Sequence, residues 1–272
     1  MSIRNILVAF NGSESAKTAL TYAASLAGTQ AHVTALLAHS SHDVIDRRGA
    51  WVPEAARKII AEANAGVLSG IEERFEAMKG ALGLDDRLHF LRSSGRVDSV
   101  LSETARGFDI IVVGHDRGED VDEHVTIHPD RIALLSGRPV LIVPQGYDSE
   151  ARHSHAVLAW DGSRSAARAM SDSLALLETQ GRVTVLTIGE QDLARPADEV
   201  VTHLGRHGIQ AKSERIAADP GPARALVAYC RDRDPCLLVM GAYEHSKFRE
   251  DCLGRVTARA LRGTPKSVLL SH

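Results

Sequence analysis

Two short turns hold the residues whose types and spacing could do chemistry. Asp161, Gly162 and Ser163 stand in "WDGSRSA" (160–166), after the apolar run "AVLA" and before a helix-like stretch. A glycine turn between a strand and a helix N-terminus offers backbone N–H groups and the positive end of a helix dipole, and both favour phosphate. An aspartate at the strand's end can accept hydrogen bonds from a ribose or an adenine amino group, or help hold a metal. Asp-Gly-Ser before a helix is equally an ordinary turn followed by an N-cap. A near-copy, "FNGSESA", lies at 10–16 and carries Asn11 where the later turn has Asp161.

A second stretch, "GAYEHSKFREDCLGRVTARAL" (241–261), runs from a strand-ending glycine, Gly241, to Gly254 and a helix opening Arg255, Val256, Thr257. It is long for a strand-to-helix connection, where roughly 2–6 residues is usual, and long loops at the carboxyl end of a sheet tend to be functional. Other constellations are weaker. His42-Asp43, His115-Asp116 and His124/His128 match no closed metal site and read as solvated loop histidines. Cys230 and Cys236 read as small apolar packing residues, and Cys252 falls in the polar loop. Ser163 lacks both a G-x-S-x-G elbow and a placed base, and neither a Walker A nor a G-x-G-x-x-G sequence occurs.

The elements that position these turns are written twice. "ILVAFNGSESA" (6–16) aligns with "AVLAWDGSRSA" (156–166), "FDIIVVG" (108–114) with "PCLLVMG" (235–241), and "SGRPVLIVP" (136–144) with "RGTPKSVLLS" (262–271). Three matches in one order make a tandem duplication. In the first half, strands are expected near 3–10, 31–38, 87–92, 109–114 and 139–143. Helices are expected from Ser13 or Glu14 to Ala27, from Pro53 through Met78, and over 97–106 and 129–136. In the second half, strands fall near 155–160, 182–188, 210–216, 236–240 and 266–270. Its helices fall near 164–179, 196–207, 222–232 and 255–262, the second shorter than its counterpart. The polar, turn-rich stretch 144–154 divides the chain into domains 1–146 and 154–272. Alternating strands and helices, with strands apolar on both faces, imply two five-stranded doubly wound parallel sheets. Ligands of such sheets bind beyond the carboxyl ends of the strands, where both turns lie.

Composition excludes several classes. A formal net charge of -3 leaves no basic field for nucleic acid and no polybasic membrane patch. Three cysteines, all in the second half, argue against a disulfide framework and for a reducing compartment. No run approaches the ~18 apolar residues of a membrane span. The start, "MSIRNILVAF", enters a strand directly without the pattern of a signal peptide, so a cytoplasmic location is expected.

The paired openings, the "DIIVVG" and "PVLIVP" strands and "MGAYEHSKFREDCLGRVTARAL" resemble the universal stress protein family in its tandem two-domain form, over essentially the whole chain. The resemblance implies an adenine nucleotide alpha hydrolase-like fold. It also implies two halves paired about an internal pseudo-two-fold through their last strands, Val140–Val143 and Ser267–Leu270. Nucleotide-binding members carry G-x2-G-x9-G-[ST] after strand four and an Asp at the end of strand one. Asp161, Gly241 and Gly254 match that pattern, whereas Glu244 replaces the second glycine and Arg255 the Ser or Thr. Gly162, Ile188 and Val256 are implied as further contacts of an ATP or AMP in the second half. In the first half Asn11 replaces the Asp, Gly114 matches the first glycine, Arg117 replaces the second, and His128-Pro129 replaces Gly-Ser. Glu244 and Arg255 either pair across the cavity and narrow it or turn into water. The implied function is a cytoplasmic stress-response or signalling protein without turnover, sensing an adenine nucleotide through the second half. A slow ATP hydrolase using Asp161 and a divalent metal, and a scaffold with both sites dead, are the alternatives. Protein partners stay unnamed, and a homodimer of whole chains is a further expectation.

Overall fold

The computed structural model of the chain describes residues 3–40, 54–115, 127–147, 155–179, 181–190, 195–242 and 266–272. In the first half, strand β1 (Asn5–Ala9) leads into helix α1 (Glu14–Ala27), followed by β2 (His32–His39), α2 (Glu54–Lys79), β3 (Leu88–Ser94), α3 (Val97–Ala105), β4 (Ile110–His115), α4 (Pro129–Ser136) and β5 (Val140–Pro144). The second half repeats the order with β6 (Ala156–Ala159), α5 (Arg164–Leu177), β7 (Val183–Ile188), α6 (Ala197–Arg206), β8 (Ala211–Ile216), α7 (Pro222–Arg233), β9 (Leu237–Gly241) and β10 (Ser267–Ser271). The helix expected at 255–262 and the start expected at Pro53 lie outside the described residues.

The strands form one ten-stranded sheet in the order β3-β2-β1-β4-β5-β10-β9-β6-β7-β8. Within each half every described pairing is parallel. The central pair, β5 with β10, is antiparallel, with Val140 opposite Leu270, Leu141 opposite Leu269 and Ile142 opposite Val268. Each half alone would leave β5 or β10 as an apolar edge, and an exposed apolar edge invites another strand. Here the two edges satisfy one another, as the family resemblance implies. The antiparallel seam has a consequence for function. The strands of the two halves run in opposite directions, so the turns after β1 and β6 lie at opposite ends of the sheet.

Helices cover both faces. One core layer packs α1, α2, α5 and α6 residues such as Leu20, Phe75, Leu176 and Leu204 against Ile6, Val8, Leu158 and Val185. The other packs Leu101, Ile132 and Leu226 of α3, α4 and α7 against Leu7, Val112's neighbours Ile111 and Val113, and Leu238. The period-two alternation of each strand decides which layer a residue enters. Tyr147, just beyond β5, stacks edge-on with Tyr22 at 5.5 Å and donates its hydroxyl to the Cys236 carbonyl of the other half at 3.1 Å.

Candidate functional site

Each half reverses its strand order at the first strand: β1 lies between β2 and β4, and β6 between β7 and β9. A crevice at such a reversal is where doubly wound sheets take ligands. The turn that enters each crevice is built in the same way. Gly12 and Gly162 hold φ of 76° and 75°, a region that favours glycine. Asn11 Oδ1 accepts the Ser13 N–H at 3.1 Å, and Asp161 Oδ1 accepts the Ser163 N–H at 3.0 Å. Ser13 and Ser163 then cap α1 and α5, accepting from Ala16 N at 3.2 Å and Ala166 N at 3.1 Å. Each cap hydroxyl also meets a second serine, Ser15 at 3.1 Å or Ser165 at 3.2 Å. The Ser163 hydroxyl thus serves as the N-cap of α5.

The surroundings of the turns differ. In the first half Asn11 is buried, 8% exposed, because α2 runs for 26 residues and lies across the turn. Leu68, Ile71 and Phe75, spaced by three and four, form its inward stripe. Phe75 meets Phe10 edge-on at 5.9 Å and Phe90 at 4.7 Å. Arg74, one turn from Ile71 on the same helix, donates Nη1 to the Gly12 carbonyl at 3.2 Å. A Cβ on Gly12 would come within 3.1 Å of Ile71 Cγ1, so the turn is in tight contact with the helix. In the second half α6 has only 10 residues, and Asp161 is exposed. Trp160 takes the place of Phe10 and donates its indole N–H to the Arg195 carbonyl at 3.0 Å. The second carboxylate oxygen of Asp161 has no hydrogen-bond partner among the described residues.

Asp161 and Gly162 follow β6, Ile188 ends β7 and Gly241 ends β9, so three adjacent strand ends bring these four expected residues to one rim. Glu244, Gly254, Arg255 and Val256 lie outside the described residues. Gly241 has a reason to be glycine that needs no ligand. A Cβ there would fall 2.5 Å from the Ser165 carbonyl carbon and 2.6 Å from Ala166 N, in the first turn of α5. Gly114 stands in the same relation to α1, with a Cβ falling 2.4 Å from the carbonyl carbon and oxygen of Ser15. In both halves the first helix presses its N-terminal backbone onto the end of the fourth strand.

Sequence reasoning missed Arg74 and also Asp98. Asp98, in the first turn of α3, accepts the His128 backbone N–H at 3.1 Å and meets His128 Nδ1 at 3.0 Å, with Arg131 Nη1 at 3.4 Å. The side chain of Asp98 is mostly buried. A carboxylate thus already occupies the positive end of α4, where a phosphate would otherwise be favoured. Pro129 at N1 removes a further donor there. The signal for α2's cover was available as its length against α6. The signal for Asp98 was not, since nothing local links residues thirty positions apart.

At the opposite end of the second half, His155 is buried and pairs through Nε2 with Thr184 Oγ1 at 2.9 Å. Burial lowers its pKa, and the charges of Arg182, Lys212 and Arg233 lower it further against a smaller opposing pull from Glu214. Burial alone would raise Glu214. Hydrogen bonds from Tyr229 (2.9 Å) and Lys212 (3.2 Å), with the Lys212 and Arg233 charges, carry it below the usual carboxylate range instead. Burial pushes the Cys230 thiol up to about 12, so it is not a poised thiolate. Among the described residues, no group of three or more His, Cys, Asp or Glu could hold a metal ion.

The fold, the doubled turn and the strand order define an α/β protein of the stress-protein type. Residues 2–144 match the Universal stress protein family, and the chain belongs to that family. It is similar to the Universal stress protein Slr1230 of Synechocystis sp., at 24% identity over 98% of this chain and 99% of that one. The crystal structure of a universal stress protein from Archaeoglobus fulgidus shares the fold, with a TM-score of 0.69 at 16% identity over 98% of this chain and 95% of that one. A functionally unknown protein from Pseudomonas aeruginosa shares it with a TM-score of 0.51 at 16% identity over 99% and 92%. Among the described residues, no helix is long and apolar enough to cross a membrane.

Proposed function

We propose that this stress protein holds one adenine nucleotide, ATP or AMP, at the rim formed by Asp161, Gly162, Ile188 and Gly241, and that it does so as a sensor without turnover. The observation that carries this reading is the contrast between the exposed Asp161 carboxylate and the buried Asn11 under α2. A carboxylate with a free oxygen beside a helix N-terminus can accept from ribose hydroxyls while the helix end favours phosphate. Among the described residues of the rim, Asp161 Oδ1 accepts the Ser163 N–H and the Ser163 hydroxyl caps α5, which leaves the other Asp161 oxygen to accept from the ribose.

Mass spectrometry of nucleotide retained by the purified full chain, with a phosphate-release assay at saturating ATP, tests this. The expected result is at most one adenine nucleotide per chain and no release above the uncatalysed rate. Release that disappears in Asp161→Asn would establish a hydrolase instead. A scaffold without a ligand is the second reading, and one observation favours it: Gly114 makes the same backbone contact in the covered half as Gly241 does in the open one. Failure to retain or bind any adenine nucleotide at millimolar concentration would decide for the scaffold.

A further inference from the structure

The first half carries, at the end away from its turn, a histidine pair that the stress-protein reading does not use. His32 opens β2 and His89 lies in β3, the outermost strand of that side. His32 Nδ1 and His89 Nε2 are 3.2 Å apart, and the ring planes differ by 6° with centroids at 5.5 Å. Both nitrogens therefore lie close to the line joining the ring centres, and the two rings meet head-on, nearly in one plane. One proton serves both atoms: one nitrogen donates it and the other accepts with its lone pair. Both side chains are exposed.

We infer that His32 and His89 form a chelating site for a divalent transition-metal ion of the zinc class. Two imidazole nitrogens at ~2.0–2.1 Å on a tetrahedral ion are roughly 3.3 Å apart, close to the separation already present. The ladder between β2 and β3, with Thr34 opposite His89, fixes the two backbones, so only the exposed rings turn to converge. The proton between them moves to the other nitrogen of its own ring, leaving both facing lone pairs for the metal, and water completes the coordination. Occupancy ties the edge strand β3 to β2. The second half supplies an internal contrast. Its ladder places Thr184 opposite Lys212, and Arg182 stands two residues before Thr184, so two cations occupy the places of His89 and His32.

The test is titration of the full chain with zinc chloride, followed by calorimetry and by competition with a chromogenic chelator. The variants are His32→Gln and His89→Gln. His203→Gln serves as control for the other adjacent histidine pair, His203 with His207, whose ring centroids are 4.9 Å apart. The expected result is one zinc equivalent that weakens at least about tenfold in each of His32→Gln and His89→Gln and is unchanged in His203→Gln. Because both rings are exposed, circular dichroism of the two variants should match the parent, which separates ligand loss from unfolding. Identical zinc binding in the parent and both variants would overturn the assignment. So would a loss confined to one of the two, because a chelate needs both nitrogens.

Discussion

The two copies of the Gly-Ser turn have the same backbone and different neighbours. Both use a glycine at positive φ, both close with a side-chain oxygen on the serine two residues later, and both cap the helix with that serine. What separates them is the helix after the second strand. At 26 residues, α2 reaches over the first turn and seals it with Ile71 and Arg74. At 10 residues, α6 stops short and leaves Asp161 at the surface. The lesson is that a turn's chemistry is set by what covers it as much as by its own residues. Asn11 serves the turn as well as Asp161 does, since only one oxygen is needed for the hydrogen bond.

The largest expected effect tests what the turns share. Gly114→Ala and Gly241→Ala each put a Cβ within 2.7 Å of helix backbone atoms, far inside van der Waals contact, where the backbone cannot yield. Each should cost about 3 kcal/mol or more in chemical denaturation. A marked cost at Gly241 with none at Gly114 would break the equivalence and return Gly241 to a ligand role. Next comes the cover itself. Ile71→Ala removes a buried side chain over the first turn and should cost about 2–4 kcal/mol, with faster hydrogen exchange at Gly12 and Ser13. Unchanged exchange there would mean that α2 does not seal the turn.

A smaller effect distinguishes the halves by pH. His155 is buried with a lowered pKa, whereas the corresponding residue of the first half is Asn5, and the first half's own lowered histidine, His39, held down by burial and by Arg92, is only part-buried. A base whose folded pKa lies below its unfolded value favours the neutral form in the fold. Its stability contribution is therefore complete above pH ~6.5, the ordinary histidine value, and is lost as pH falls from there through the lowered folded value. Denaturation between pH 7.5 and 5 should show the second half weakening, and His155→Gln should flatten that slope. The smallest effect is Asp161→Asn, which reproduces the first copy's turn and should change stability by less than about 0.5 kcal/mol.

The architecture was legible because its signals are local or repeated. Continuous apolar runs such as "IIVV" mark strands buried on both faces, Ser13 and Ser163 mark helix starts, and three ordered matches mark the duplication. The pairing of β5 with β10 was an implication of the family resemblance, to which the two short apolar strands ending the halves lent support. Of the candidate rim, Asp161, Gly162, Ile188 and Gly241 could be placed at strand ends because each closes or directly follows an apolar run. The contacts of Arg74 with Gly12 and of Asp98 with His128 could not be read, since they join residues 62 and 30 positions apart through packing. Nor could the packing role of Gly241, because a glycine forced by backbone contact and a glycine kept for a phosphate look identical in sequence.

The account turns on one asymmetry, the exposed second turn against the covered first, and on the proposal that the second takes an adenine nucleotide. Calorimetric titration of the full chain with ATP tests it directly, using the parent, Asp161→Asn and Asn11→Ala. The predicted result is a single weak site that is lost in Asp161→Asn, whose fold is intact, and retained in Asn11→Ala. Two equivalent sites, or one site that survives Asp161→Asn and vanishes with Asn11→Ala, would contradict it.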